Sequence, residues 1–304
     1  MKLTPVYALL FPLLIFSCTT TTPPPAPSST AENPLKDTID RIVQSRKADI
    51  GVSIIALEDG DTLSVNGNKP YTIMSVIKFP QALYVLHLVD EGKASLNDVI
   101  HFTKADFAPD TWSPLKDAKK GKPCAIPLKE ALTYTAGTSD NIVFDKLSDL
   151  YGSPQKITDY IHSIGVQQMT FGTDYRHIME HGIQANNATP NASALLLQKF
   201  MKGKILSDSS QALLHTIMSS STHAADRLRG LLPKDAVVAH KTGTYFTDSI
   251  PLEAVNDIGV VTLPGGKHYA IVVYVNNSYE TPEVTMQTIA EINKAAWDYF
   301  GNRK

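Results

Sequence analysis

Two side chains that could form a covalent catalytic pair lie three residues apart, Ser75 and Lys78. They stand at the start of an apolar stretch, Val76 to Val89, that predicts a long helix. On a helix this spacing places both side chains on one face, one turn apart. A serine hydroxyl attacks well only when a base takes its proton, and a buried lysine near another positive charge can be that base. The pair therefore indicates acyl transfer through Ser75.

The same spacing occurs twice more, at Ser113 with Lys116 and at Ser153 with Lys156. Proline follows each of these serines directly, which predicts a turn or the start of a helix and not a nucleophile. Ser75 differs because it opens a long apolar helix. The unpaired N–H groups and the positive dipole end at a helix N-terminus can help to hold an oxyanion.

A second motif, Ser139-Asp140-Asn141, supplies groups that are needed when an enzyme breaks an amide bond. The hydroxyl of Ser139 could pass a proton to the leaving nitrogen, and Asn141 could orient a substrate amide. One member of this motif would act on the reacting bond and another on the substrate beside it. We therefore expect the motif to face Ser75 across a cleft.

A third motif, Lys241-Thr242-Gly243-Thr244, lies on a predicted strand. Lys241 could hold a substrate carboxylate, and Gly243 would let the substrate backbone approach the strand edge. The backbone N–H groups of Thr244 and Ser75 are the expected pair of oxyanion donors. Residues 241–244, Thr242 among them, are therefore predicted to bind substrate.

The three motifs occur in this order in class A β-lactamases and penicillin-binding proteins. Beyond the motifs, the sequence resembles class A serine β-lactamases, especially the branch found in Bacteroides and its relatives, over roughly 35–300. The stretches that carry the resemblance are 75–93, 111–115, 126–135, 237–244 and 256–264. The resemblance implies hydrolysis of β-lactam antibiotics through an acyl-enzyme on Ser75. It also implies that Trp112 forms a wall of the substrate groove, although a core position is open on sequence grounds.

The resemblance further implies a second base, a glutamate on a loop between the last two motifs that activates water. The usual pattern E-x-x-x-N is absent. Spacing back from the end of that loop favours Asp174, whereas side-chain type and reach favour Glu180, because an aspartate is one methylene shorter. We keep both and prefer Glu180. A site without this base would be acylated and stall, so a penicillin-binding or D,D-peptidase-like protein is the alternative function.

A metal-binding pattern overlaps the same loop. Residues 177–181 match H-x-x-E-H, a pattern of zinc proteases, and two histidines four residues apart on a helix can bind zinc. Gly182 follows at once and no long helix is predicted there. We therefore expect no metal and no cofactor.

The fold that must position these motifs is predicted to be α/β. Strand patterns occur at 51–57, 62–65, 236–240, 258–263 and 269–275, and short turns join several of them, which predicts a five-stranded antiparallel sheet. Helical patterns at 33–46 and 282–300 would cover one face of the sheet. The catalytic domain is predicted at 35–304, with an α/β lobe from 35–70 and 232–304 and an all-α lobe from 75–231. A groove between two lobes is a common place for small-molecule chemistry.

The first residues read as an export signal, 1–17, whose apolar run is too short to span a bilayer. It ends at Cys18 in a sequence that resembles a bacterial lipobox, so Cys18 is predicted to carry a lipid. An ordinary secretory signal with an incidental cysteine is the alternative. Residues 18–34 predict a disordered Thr/Pro-rich tether. The protein is thus expected in the periplasm, with a lipid anchor as its only membrane contact.

Composition and charge limit the class of protein and the kinds of partner that can be expected. The chain has 304 residues, of which 43% are hydrophobic, and a net charge of −2. This is ordinary for a globular protein, and a near-neutral charge gives no electrostatic reason to expect nucleic acid as a partner. The resemblance implies a small β-lactam molecule as the substrate, and we expect a monomer.

Overall fold

The computed structural model describes residues 1–2, 33–245 and 250–303. The described residues leave out 3–32, and with them Cys18, most of the predicted export signal and most of the predicted tether. The α-helices are α1 (Pro34–Gln44), α2 (Lys78–Asp90), α3 (Pro114–Lys119), α4 (Leu128–Leu132), α5 (Asn141–Tyr151), α6 (Pro154–Ser163), α7 (Ile178–His181), α8 (Pro190–Met201), α9 (Asp208–Ser219) and α10 (Pro282–Gly301). The strands are β1 (Asp49–Ala56), β2 (Thr62–Val65), β3 (Tyr71–Thr72), β4 (Val99–Phe102), β5 (Cys124–Pro127), β6 (Met169–Phe171), β7 (Asn186–Ala188), β8 (Val237–Tyr245), β9 (Leu252–Thr262) and β10 (His268–Ser278).

The central sheet has five antiparallel strands in the order β2-β1-β10-β9-β8. This confirms the predicted five-stranded antiparallel sheet. The last three strands are longer than their apolar patterns. In β8 the pairing continues past the apolar residues through Lys241–Thr244, and the polar side chains of Lys241 and Thr242 are buried by the rest of the protein. A pattern of apolar residues does not detect the end of such a strand, because its last residues are polar although some of them are buried.

The two terminal helices cover one face of this sheet, as predicted. Leu35 and Ile39 of α1 and Ile289 and Ile292 of α10 share a buried cluster with inward-facing residues of the sheet. The helix starts have local causes. Asn33 and Thr281 cap α1 and α10 with their side chains, and a proline follows each cap.

The other face of the sheet packs against a mainly helical segment, in which α8 crosses β1 and β10. A second hydrophobic core fills this space and includes most of α2. Two short sheets, β3-β7-β6 and β4-β5, also occur here and were not predicted. Their strands have between two and four residues, which is too short to show an alternating pattern. The lobe boundaries at 35–70, 75–231 and 232–304 stay a prediction.

The helix behind the nucleophile begins later than its apolar pattern. Met74–Ile77 forms a 3-10 turn, and α2 starts only at Lys78. Ser75 therefore lies on a tight turn and not on the first turn of the α-helix. The two other S-x-x-K serines are helix caps, as expected. Ser113 caps α3 and Ser153 caps α6.

Among residues 1–2, 33–245 and 250–303, no helix combines the length and the apolar character needed to cross a bilayer.

Candidate active site

The backbone is strained at two residues of the candidate site. Met74, directly before Ser75, has φ of 48°, and Ser139 has φ of 64°. Residues with side chains rarely adopt this left-handed region, and such strain persists only where surrounding packing enforces it. At Met74 the strain belongs to the tight turn that presents Ser75. At Ser139 it lies between a π-helical turn, Thr133–Gly137, and the start of α5.

Ser75 and Lys78 are in direct contact. The Nζ atom of Lys78 lies 2.8 Å from the Oγ atom of Ser75 and 2.6 Å from the Oδ1 atom of Asn141. The amide nitrogen of the Asn141 side chain donates a second hydrogen bond of 2.7 Å to the hydroxyl of Thr111. Both ends of this side chain are thus engaged within the protein, and Asn141 fixes the lysine amine beside the serine.

Lys78 is fully buried, and its environment weakens its hold on a proton. Burial is the main reason that the pKa of Lys78 lies well below its ordinary value. The positive charge of Lys241 lowers this pKa further, while the carboxylates of Asp140 and Asp145 act in the opposite direction. An amine with a depressed pKa, in contact with a hydroxyl, is able to accept the hydroxyl proton.

A second lysine pairs with the second serine. The Nζ atom of Lys241 donates hydrogen bonds to Ser139 Oγ, at 3.0 Å, and to the carbonyl of Thr242, at 2.9 Å. Burial lowers the pKa of Lys241 to about 7, against the opposing charge of Asp257, and the charge of Arg227 lowers it too. The Ser139 hydroxyl thus accepts a hydrogen bond from the buried amine of Lys241.

The strand β8 touches the nucleophile turn through backbone atoms. A Cβ atom at Gly243 would collide with the carbonyl oxygen of Ile73 and would lie 3.2 Å from the amide nitrogen of Ser75. The glycine was expected to make room for a substrate. In the structure it makes room for the protein's own backbone on that side. Glycine is required here because the strand and the turn approach so closely.

Asp140, the middle residue of the second motif, is structural. Its buried carboxylate accepts hydrogen bonds from the Ser113 hydroxyl and from the backbone N–H groups of Leu115 and Val143. It therefore caps α5 and ties α5 to α3. This fixes the positions of the two neighbouring motif residues, Ser139 and Asn141.

These groups meet at a cleft of about 1030 Å³. Residues of all three motifs line it, namely Ser75, Ser139, Asn141, Thr242 and Thr244. Trp112 also lines the cleft and is 54% exposed, so it is a wall and not a core residue. Its indole nitrogen donates a 3.0 Å hydrogen bond to the carbonyl of Thr138, which fixes the ring beside the second motif.

The two carboxylates considered for water activation do not contact Ser75. Glu180 is exposed on the short helix α7 and is not among the residues that line the cleft. The Asp174 carboxylate is engaged by His177, at 2.7 Å, and by Arg176, at 3.0 Å. These hydrogen bonds and charges keep the pKa of Asp174 below its ordinary value, although burial acts against them. Neither side chain reaches the nucleophile in this structure.

A tyrosine that sequence analysis did not single out takes the place beside Ser75. The phenol oxygen of Tyr175 lies 2.7 Å from Ser75 Oγ, and its ring centroid lies 3.8 Å from Lys78 Nζ. No sequence motif marks a tyrosine for this position. Only its location next to Asp174, on the loop expected to carry the second base, pointed towards the site.

A buried arginine was also missed. Arg227 donates hydrogen bonds to the Thr244 hydroxyl, at 2.6 Å, and to the carbonyl of Asn256, at 2.8 Å. It lines the cleft and adds positive charge next to Lys241. Its neighbour His223 stays neutral there, because burial and these cations lower the pKa of that imidazole to about 4. This end of the cleft suits an anionic group of a substrate.

The residues of the zinc-protease pattern lie on and next to a very short helix. The helix α7 is only four residues long, Ile178–His181. In the described part of the chain, no group of three or more histidine, cysteine, aspartate or glutamate side chains could hold a metal ion.

Comparison with known proteins identifies the family. A family model described as the beta-lactamase enzyme family matches residues 34–300. The chain is 34% identical over 274 residues to the extended-spectrum β-lactamase PER-1 of Pseudomonas aeruginosa, with 89% of each protein covered. A β-lactamase structure from Chitinophaga pinensis superimposes with a TM-score of 0.86 at 38% identity, covering 88% of this chain and 100% of that chain. A class A β-lactamase structure from Bacteroides cellulosilyticus gives a TM-score of 0.84 at 30% identity, covering 88% and 98%. Motifs, fold and relatives agree, and the chain belongs to the class A β-lactamases.

Proposed function

We propose that this protein hydrolyses β-lactams through an acyl-enzyme on Ser75. The observation that carries the proposal is the contact of Ser75 Oγ with the buried amine of Lys78, in the cleft where Ser139 meets Lys241. This arrangement supplies a nucleophile, a base of depressed pKa and a proton donor for a leaving nitrogen. Family membership assigns the substrate class, and the geometry of the cleft supports the chemistry.

In acylation, Ser75 Oγ attacks the carbonyl carbon of the β-lactam ring while its proton passes to neutral Lys78. The backbone N–H groups of Ser75 and Thr244 are the proposed donors to the oxyanion. When the ring C–N bond breaks, its electron pair stays on nitrogen, and Ser139 gives that nitrogen a proton that Lys78 replaces. The ring nitrogen thereby becomes an amine and Ser75 becomes an ester.

Substrate binding is assigned to the walls and the basic end of the cleft. Lys241, together with Thr242 and Thr244, would hold the carboxylate that β-lactams carry next to the ring nitrogen. The charge of Arg227 makes this end more favourable for an anion. Trp112 would pack against the side of the bound substrate that faces away from β8. Asn141 is assigned the role of holding Lys78, since both ends of its amide are engaged within the protein.

We also propose that the protein works in the periplasm as a lipoprotein anchored through Cys18. Support comes from the sequence alone: the short apolar run before Cys18 and the Thr/Pro-rich stretch after it. Labelling with a lipid precursor, in the wild type and in Cys18→Ala, tests this. Loss of the lipid label in the variant is expected, and equal labelling of both would refute the anchor.

The catalytic proposal is tested by mass spectrometry and turnover of a chromogenic cephalosporin. The wild type should form an adduct on Ser75 and clear it, with many turnovers per molecule, and Ser75→Ala should do neither. Ser153→Ala is the matched control, because Ser153 stands in the same S-x-x-K spacing but caps α6. A wild-type protein that traps one equivalent and then stops would instead be a penicillin-binding protein.

A further inference from the structure

Tyr175 is held firmly against the catalytic pair. Besides its 2.7 Å contact with Ser75 Oγ, its ring lies against the Lys78 amine and packs edge-on against Phe144, with ring centroids 5.3 Å apart. Its backbone N–H donates a 2.9 Å hydrogen bond to the buried carboxylate of Asp145. The phenol is thus positioned by contacts on its ring and on its backbone.

The neighbours of the nucleophile oxygen are few. In the described residues, the side chains hydrogen-bonded to Ser75 Oγ are Lys78 and Tyr175. The loop that the family resemblance assigns to a carboxylate base presents a phenol at this point. Asp174 is engaged by Arg176 and His177, and Glu180 is exposed outside the cleft lining. The group of this loop that touches the nucleophile is therefore a phenol and not a carboxylate.

We propose that Tyr175 is a catalytic residue of deacylation, whose phenol donates a hydrogen bond to Ser75 Oγ while Lys78 takes the proton of the attacking water. This inference rests on the proposed function and deepens it. One base then serves both half-reactions, and the phenol stabilises the serine oxygen when that oxygen is the leaving group.

The water oxygen bonds to the ester carbonyl carbon as one water proton moves to neutral Lys78. The bond between that carbon and Ser75 Oγ then breaks, and its electron pair goes to Oγ, which accepts the hydrogen bond from Tyr175. The proton on Lys78 returns to Oγ, so the serine hydroxyl, the neutral lysine and the phenol are all restored, and the opened β-lactam leaves as a carboxylic acid.

The protonation states suit these roles. Burial raises the pKa of the Tyr175 phenol above its ordinary value, so it keeps its proton at neutral pH. A protonated phenol is a donor and cannot take a proton from water. The same burial lowers the pKa of Lys78, which makes its amine the available acceptor.

The test is Tyr175→Phe, which removes the hydroxyl and keeps the ring that packs on Lys78 and Phe144. We expect the deacylation rate to fall about tenfold or more, and the acylation rate to change by less than about threefold. Rapid-quench mass spectrometry with a penicillin measures both rates, and the acyl-enzyme on Ser75 should accumulate in the variant. A structural role alone would slow both steps together.

Tyr151→Phe is the matched control, since it removes a hydroxyl that contacts Asp98 away from the cleft. Its two rates should equal those of the wild type. The inference is overturned if Tyr175→Phe deacylates like the wild type, or if Glu180→Gln or Asp174→Asn accumulates the acyl-enzyme more strongly than Tyr175→Phe. Failure of the proposed function would look different, because the wild type would then form no adduct at all on Ser75 or would never release it.

Discussion

Ser75 is bordered by two regions that are built in different ways. The framework side consists of Lys78, Ser139, Asn141 and Lys241, on or next to α2, α5 and β8, and its polar groups bind one another across elements. The loop side consists of residues 172–185, where side chains are tied by ion pairs that water can reach, as with Arg176, which is 38% exposed. The proposed acylation groups all lie on the framework side, whereas the proposed deacylation combines Lys78 of the framework with Tyr175 of the loop side.

The largest effect is expected on the framework side. Lys78→Met removes the proposed base but fills the same buried space, so the acylation rate should fall about 10³-fold while the protein stays folded. Stopped-flow acylation with a chromogenic cephalosporin measures this. Lys156→Met is the control, because that lysine has the same spacing from a serine that caps α6. An acylation rate within tenfold of wild type would show that another group is the base.

The carboxylate that joins framework elements comes next. Asp140→Ala leaves the hydroxyl of Ser113 and two backbone N–H groups without their buried acceptor, so the free energy of unfolding should fall by about 3 kcal/mol. Urea unfolding gives this value. Asp208→Ala, at an exposed position in the first turn of α9, should lose less than about 1 kcal/mol. Equal losses in the two variants would contradict the difference drawn between buried and exposed positions.

Asp145 lies where the two regions meet, and its raised pKa predicts that the free energy of unfolding depends on pH. Burial raises its pKa from the ordinary 3.8 to about 7, against the hydrogen bond from the Tyr175 N–H and the charges of Arg176 and Lys78; Asp174 acts with burial. The folded state therefore binds this proton more tightly than the unfolded chain does. The contribution of Asp145 to the free energy of unfolding is largest below about pH 4 and is lost as pH rises towards 7.

Asp145→Asn should remove that loss, because an amide keeps the oxygen that accepts from Tyr175 but carries no charge. We expect the variant to gain about 4 kcal/mol over wild type at pH 8 and less than about 1 kcal/mol at pH 4. Urea unfolding at the two pH values tests this. Asp149→Asn, one turn along α5 and exposed, should show no such gain. A gain for Asp145→Asn that is the same at both pH values would refute the titration argument.

The smallest effect is expected on the loop side. Arg176→Ala removes the ion pairs to Asp145, Asp149 and Asp174, but the arginine side chain is 38% exposed, so the free energy of unfolding should fall by less than about 1 kcal/mol. Thermal unfolding at low and high salt measures it. A loss as large as that of Asp140→Ala would mean that the loop is held as firmly as the framework.

The same division separates what the sequence could predict from what it could not. Ser75, Lys78, Ser139 and Lys241 were found because short motifs mark them, and the five strands of the central sheet were found from their apolar patterns and the short turns that join several of them. Tyr175 and Arg227 lie in segments without periodicity, and a tyrosine or arginine in a loop carries no mark of what it will contact. The start of α2 was placed early, since a 3-10 turn and an α-helix have similar apolar patterns over four residues.

The contact at Gly243 has a consequence for how the substrate range of this enzyme could change. The nucleophile turn and the substrate-binding strand meet through main-chain atoms at Gly243, so this contact does not depend on the side chains that form the walls of the cleft. Variation at Trp112 or Met179 could widen or narrow the cleft while the reacting groups keep their registration. Residue 243 differs from these wall positions. Even a single methyl group there would collide with the carbonyl of Ile73 and push strand β8 and the nucleophile turn apart.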